Sequence, residues 1–250
     1  MYITEDNIRL KATLDMPEGN PEKCPLVIII HGFTGYSEER HIEGVARTVN
    51  ELGYASLRVD MYGHGQSDGT FHDHTLFKWM TNAMTVIDYA RTLPFVTDLY
   101  LCGHSQGGLT AILAAGLKHE FIKGLMPLSP GINIPESVRQ GNMLGISFDP
   151  DHLPEELCYE KKGLMLGGNY LRAAQMIHPE EAIARYEGPV LLVHADTDEV
   201  IPYSCSVEAE KAFRNAKLVT IHRDTHCYDE HLDEVLQAIR EWLPRYQSEK

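Results

Sequence analysis

A serine stands between two glycines in Gly103-His104-Ser105-Gln106-Gly107, directly after the apolar run Leu99–Cys102 and before an apolar segment of helical period, Gly107–Leu117. A sharp strand-to-helix turn of this kind holds the serine in a strained conformation with its hydroxyl projecting from the sheet edge. The small residues two positions away on each side let neighbouring chains pass closely. The helix that follows adds positive potential where an oxyanion would form. A serine hydroxyl is a weak nucleophile near neutral pH, so acyl transfer through Ser105 requires a base and an acid to orient that base.

Both can be sought further along the chain. The run Val190–Val193 leads into His194-Ala195-Asp196-Thr197-Asp198-Glu199-Val200-Ile201-Pro202, where Asp198 is the expected acid by its spacing to Pro202 and Asp196 is held in reserve. After Leu218–Ile221 comes Arg223-Asp224-Thr225-His226-Cys227, which sets His226 on the loop before a closing helix. His222 at the strand edge and His231 within the expected helix are the weaker candidates for the base. The order Ser105, Asp198, His226 matches a known chain order of such triads. Two backbone donors complete the expected machinery: the N–H of Gln106, after the nucleophile, and that of Phe33 in the loop His31-Gly32-Phe33-Thr34-Gly35. Gly32 gives that loop the freedom to approach a substrate. Asp60-Met61-Tyr62-Gly63-His64-Gly65-Gln66-Ser67 reads as a tight turn beside the site.

These residues need a frame that brings loop ends together. The short apolar runs Leu26–Ile30, Ala55–Val59, Leu99–Cys102, Leu125–Leu128, Val190–Val193 and Leu218–Ile221 lack alternation, as strands buried on both faces do. Helical periods at Ile42–Leu52, Lys78–Thr92, Gly107–Leu117, Ser206–Phe213 and Leu232–Leu243 lie between and after them. Such alternation predicts an α/β protein, a mostly parallel sheet flanked by helices on both faces, in one domain over residues 1–250. Residues 132–168 break the rhythm with Gly, Pro and Asp, and are expected to form a small inserted cap over the active edge; the bland reading is a structural excursion with no substrate role.

Composition narrows the partners. Lys and Arg number 22 against 36 Asp and Glu, a formal charge of −14, which repels phosphate backbones and anionic membrane surfaces. No nucleic acid and no membrane are expected as partners; a homodimer stays open. The five cysteines, Cys24, Cys102, Cys158, Cys205 and Cys227, contain no CxxC pair and read as reduced thiols. No basic stretch leads into an apolar run at the start of the chain, and no run reaches the roughly twenty apolar residues of a membrane span. A cytoplasmic location is therefore expected. His72-Asp73-His74 and Asp149-Pro150-Asp151-His152 fall short of metal sites, so no metal and no other cofactor is expected.

Taken together, the chain resembles the capped α/β-hydrolases, and within them the bacterial feruloyl (cinnamoyl) esterases. The resemblance rests on the motifs around Phe33, Asp60, Ser105 and His226, on Phe148-Asp149-Pro150-Asp151-His152-Leu153-Pro154, and on Gly167-Gly168-Asn169-Tyr170-Leu171-Arg172-Ala173-Ala174-Gln175. It implies hydrolysis of small-molecule esters of hydroxycinnamic acids, with Ser105 as nucleophile, His226 as base, Asp198 as acid, and Phe33 and Gln106 as oxyanion donors. It further implies an acyl pocket under the cap, whose contacts are expected from Gly32, Phe33, Met143, Leu144 and Tyr170. The chain departs from the family at Ala195 and Arg223, where Gly is usual, and at Ser137 and Leu144, where some members carry an acidic residue and a glutamine that bind phenolic hydroxyls. A monoacylglycerol or short-chain acyl esterase, a non-catalytic receptor of small ligands on the same fold, and a peptidase are the competing readings.

Overall fold

The computed structural model describes residues 1–245. Its chain order is β1 (Tyr2–Glu5), β2 (Ile8–Asp15), β3 (Cys24–Ile30), α1 (Arg40–Glu51), β4 (Ala55–Val59), α2 (Leu76–Thr92), β5 (Val96–His104), α3 (Gln106–Leu117) and β6 (Ile122–Leu128). An excursion follows, with α4 (Ile134–Arg139), the hairpin β7 (Asn142–Met143) and β8 (Ile146–Ser147), β9 (Glu156–Tyr159), a 3-10 turn at Glu160–Lys162, β10 (Leu164–Gly167), α5 (Gly168–Gln175) and α6 (Pro179–Arg185). The core resumes with β11 (Val190–Ala195), α7 (Ser204–Ala212), β12 (Ala216–Ile221) and α8 (Leu232–Trp242).

Eight strands form one sheet in the order β1-β2-β4-β3-β5-β6-β11-β12. From β4 to β12 every neighbouring pair is parallel, whereas β1–β2 and β2–β4 are antiparallel. The N-terminal pair went unread in the sequence because Ile3, Leu10 and Ala12 alternate with polar residues over short stretches, a weaker pattern than the continuous runs of the centre. Strand β3 shows why those runs are continuous: all seven of its residues are buried, Leu26, Ile28 and Ile30 facing the layer of α2 and α3, Val27 and Ile29 facing α1 and α8. Helix α2 starts two residues before the expected Lys78, where Thr75 Oγ1 accepts the Lys78 N–H at 3.0 Å.

The middle of the sheet is closed by backbone contact. A Cβ built at Gly103 would lie 2.1 Å from the Gly107 carbonyl oxygen, and one at Gly107 would lie 2.3 Å from the carbonyl oxygens of both Ile30 and His31. Strand β3, strand β5 and helix α3 are therefore pressed together with no room for a methyl group between them. Gly107→Ala is expected to lower folding stability by about 1–3 kcal/mol, since backbone rather than a flexible side chain would have to move. A urea midpoint equal to that of the native chain would show that the three elements have slack.

Candidate active site

Parallel strands deliver their C-terminal ends to one edge, and the loops after β3, β5, β11 and β12 carry the residues singled out above. Ser105, between β5 and α3, has φ 55° and ψ −121°. Only surrounding structure keeps a non-glycine residue there. The Ser105 N–H donates to Leu128 O at 2.9 Å and its carbonyl accepts the Gly131 N–H at 2.9 Å, so the β6 strand end clamps the strained residue from both sides.

Asp198 and His226 are brought together. His226 Nδ1 lies 2.7 Å from Asp198 Oδ2, and the carboxylate side chain is fully buried. Oδ1 accepts the N–H groups of Val200 at 2.8 Å and Ile201 at 2.9 Å, while His194 Nε2 approaches Oδ2 at 3.1 Å. Burial alone would push this carboxyl up, but the bonds from His194, His226 and Ile201 outweigh it and hold Asp198 far below the usual carboxylate range. Asp196 does something else: it receives His222 Nδ1 at 2.7 Å and the Arg223 N–H at 2.7 Å. That second bond anchors Arg223 at φ 56°, a left-handed conformation that the usual glycine would take without strain. His231 reaches Asp224 rather than Asp198.

The His226 loop is wrapped on a second carboxylate. Asp224 accepts the N–H groups of Thr225, Glu230 and His231 at 2.7, 3.1 and 2.8 Å. The His226 N–H donates to Glu199 at 3.1 Å, and buried His104 donates through Nε2 to the His226 carbonyl at 2.8 Å. With Nδ1 turned to Asp198, His226 keeps Nε2 for the cavity it lines together with Ser105.

That cavity, of about 850 Å³, is bounded by Gly32, Phe33, Leu144, Ile146 and Tyr159 among others, with Glu39, Glu160, Lys162 and Glu199 as its acidic and basic groups. Neither the Phe33 N–H nor the Gln106 N–H has an acceptor among the described residues. The Phe33 peptide is held from behind: His31 Nδ1 donates to Gly32 O at 2.8 Å, so the N–H on the other side of the same trans peptide points away from it. His31 Nε2 accepts the Met61 N–H at 3.0 Å, which fixes that tautomer.

Two expected wall residues sit away from this cavity. Met143 and Tyr170 are fully buried and lie outside the cavity lining. Tyr170, on α5, turns inward because its hydroxyl donates to the buried Gln106 Oε1 at 2.6 Å, and its ring packs edge-on against Phe33. Of the two positions where some feruloyl esterases place polar groups, Leu144 lines the cavity and Ser137 does not. Glu39 lies outside every motif read in the sequence, and His104, His194 and Glu199 lie inside motifs that assign them no role; the fold shows what each of them touches.

A mostly parallel eight-stranded sheet between helical layers, with a serine on a strained turn after its central strand, defines an α/β-hydrolase. Comparison with known proteins agrees. A family model described as serine aminopeptidase, S33, matches residues 21–150, just over half of the chain, and one described as TAP-like protein matches residues 171–246. The structure of Est1E from Butyrivibrio proteoclasticus with ferulic acid bound is 58% identical, with a TM-score of 0.95 over 97% of each chain. A second Est1E structure is 56% identical, with a TM-score of 0.91 over 97% of this chain and 96% of that one. The mitochondrial palmitoyl-protein thioesterase ABHD10 of Pongo abelii is 24% identical over 198 residues, 74% of this chain and 61% of the relative. The chain spans about three-fifths of the length of such curated relatives. It belongs to the serine aminopeptidase, S33, family of α/β-hydrolases.

The buried histidines around the site make acid stability a readout of its packing. Burial, with His64 nearby, lowers His31 and His74 from 6.5 to about 3, and burial with His226 nearby lowers His41 to about 4. Each is neutral when folded and takes up a proton near 6.5 when unfolded, so its contribution is complete above 6.5 and drains away as pH falls toward 3 or 4. Glu39, pushed up by burial, works in the opposite sense and offsets part of this. Asp198 adds its own loss only below the usual carboxylate range. Urea denaturation is expected to show stability falling between pH 6.5 and about 4 at roughly 1 kcal/mol per pH unit for each of the three imidazoles, before Glu39 is counted. A midpoint that stays level across that window would contradict their neutral burial.

Proposed function

We propose that the chain hydrolyses carboxylic esters of hydroxycinnamic acids through an acyl-enzyme on Ser105, with His226 as base and Asp198 as its orienting acid. The observation that carries the substrate class is the 58% identity, over 97% of each chain, to a structure holding ferulic acid. The reaction class follows from the site. Ser105 Oγ adds to the ester carbonyl carbon as its proton passes to His226 Nε2, and the charge on the carbonyl oxygen is met by the N–H groups of Phe33 and Gln106. Collapse breaks the bond to the alcohol oxygen, which leaves with the proton from Nε2. Water, deprotonated by the same imidazole, then releases the acid and restores the serine.

Residues 132–168 act in this reading as a cap that selects the acyl group, since Leu144, Ile146 and Tyr159 bound the cavity from that segment. Leu144, where some feruloyl esterases carry a glutamine, favours apolar contact with an aromatic ring over a bond to its phenol. The five free thiols support a reducing, cytoplasmic setting. Among the described residues no helix is long and apolar enough to cross a membrane.

Ser105→Ala is expected to lower kcat by several orders of magnitude, and a serine-reactive phosphonate to label Ser105 alone. Full activity in the alanine variant, or labelling of another serine, would overturn the assignment. For the cap, Leu144→Ala is expected to lower the ratio of kcat/KM for methyl ferulate over a butyrate ester by roughly tenfold, the worth of the apolar contact removed. An unchanged ratio would move acyl selection to the core loops.

A further inference from the structure

His194 is the penultimate residue of β11 and is fully buried, and nothing in the mechanism above uses it. Its Nε2 faces two acceptors, Ile201 O and Asp198 Oδ2, each at 3.1 Å. A ring nitrogen between two acceptors must carry the proton. Its Nδ1 lies 2.7 Å from Ser206 Oγ, a hydroxyl on α7 that can donate and so fixes this tautomer. Asp198 Oδ2 is thus shared by two imidazoles, His226 at 2.7 Å and His194 at 3.1 Å, while Oδ1 is filled by the backbone of residues 200 and 201.

We propose that His194 is a positioning residue for the triad, a second imidazole donor that orients the Asp198 carboxylate and sets how strongly it holds a proton on His226. The argument is one of competition. A carboxylate oxygen has a limited share of negative charge, and a donor that draws on it leaves less to stabilise the imidazolium that forms in the reaction. With His194 in place the base releases its proton more readily to the leaving alcohol. Without it, Asp198 Oδ2 is committed to His226 alone, the imidazolium is favoured, and the carboxylate loses one of the contacts that hold it in place.

The other titratable or charged groups facing this pair are Glu199 on the same loop, His104 on β5, Glu39 and His41 at the start of α1, Cys227 and Tyr228 on the base's own loop, Tyr203 before α7, whose ring packs edge-on against His194, and Cys205 on α7. All are common to the native chain and the variants below, so they set the starting position of the pH profile and not its displacement.

The inference rests on the triad reading, and the experiment separates the two. Profiles of kcat/KM against pH for methyl ferulate would be compared in the native chain, His194→Leu and His194→Gln. The leucine removes the donor; the glutamine amide can return an N–H near the Nε2 position. In His194→Leu the acid limb is expected to move to higher pH by roughly half to one unit, with the plateau falling about tenfold, and His194→Gln to recover most of the displacement. The deshielded proton resonance of His226 Nδ1–H should shift in the leucine variant and return in the glutamine one. Should His194→Leu fail to fold, Ser206→Ala, which leaves the imidazole in place but unfixes its tautomer, is expected to move the limb in the same direction by less. A plateau that falls with the acid limb and the proton resonance unmoved would overturn the proposal and leave His194 a packing residue. A native chain with no acid limb, or one active without Ser105, would instead overturn the triad reading on which it depends.

Discussion

The contact on which the rest of the site depends is the meeting of three backbones at Gly103 and Gly107. Strand β3, strand β5 and helix α3 approach until no Cβ fits between them, and the turn that joins β5 to α3 must then be tight enough to put Ser105 at φ 55°. Backbone strain at one residue costs of order 1–3 kcal/mol and persists only where neighbours over-determine it. Here the neighbours are Leu128 and Gly131, which bond the serine's own N–H and C=O. The parallel sheet does the rest, because it sends the loops after β3, β11 and β12 to the same edge.

Around that point the recurring device is a buried histidine used as a backbone or carboxylate anchor. His31 holds the Gly32 carbonyl, His64 holds the Phe33 carbonyl, and His104 holds the His226 carbonyl. An imidazole suits the task. It is rigid and offers one donor when neutral, and burial lowers the pKa of all three, so no charge is added beside the reacting groups. The site's buried negative charge, Asp198, is compensated instead by four donors from one strand and two loops.

What could be read in the sequence was what depends on order and type. The six central strands, the five main helices and Ser105, Asp198 and His226 are each marked by a local pattern followed by a rule of succession. The choice between Asp198 and Asp196 rested on spacing alone; in the structure Asp198 meets His226, whereas Asp196 is occupied by His222 and Arg223. The direction in which a cap residue faces could not be read. Met143 and Tyr170 look like wall residues by composition, yet both turn into the core, because Tyr170 finds a buried amide oxygen and β7 is too short for its alternation to show. The roles of His104 and His194 were equally hidden, although both stand in the motifs, since a histidine in a strand looks the same whether it fills space or holds a loop. The short helices α5 and α6 span too few turns to display a period.

The hydroxyl of Tyr170 reaches from α5 to the side chain of Gln106, whose own main-chain N–H is the oxyanion donor proposed above. This link makes the inserted region something other than an interchangeable accessory. A chimaera that took the whole excursion from a relative would acquire new walls at the cavity and, unless it brought a hydroxyl to the same place, would also release the first residue of α3 from its anchor. On the reading proposed above, selectivity and turnover would share a joint at this bond, and natural drift in one would have to be accommodated by the other.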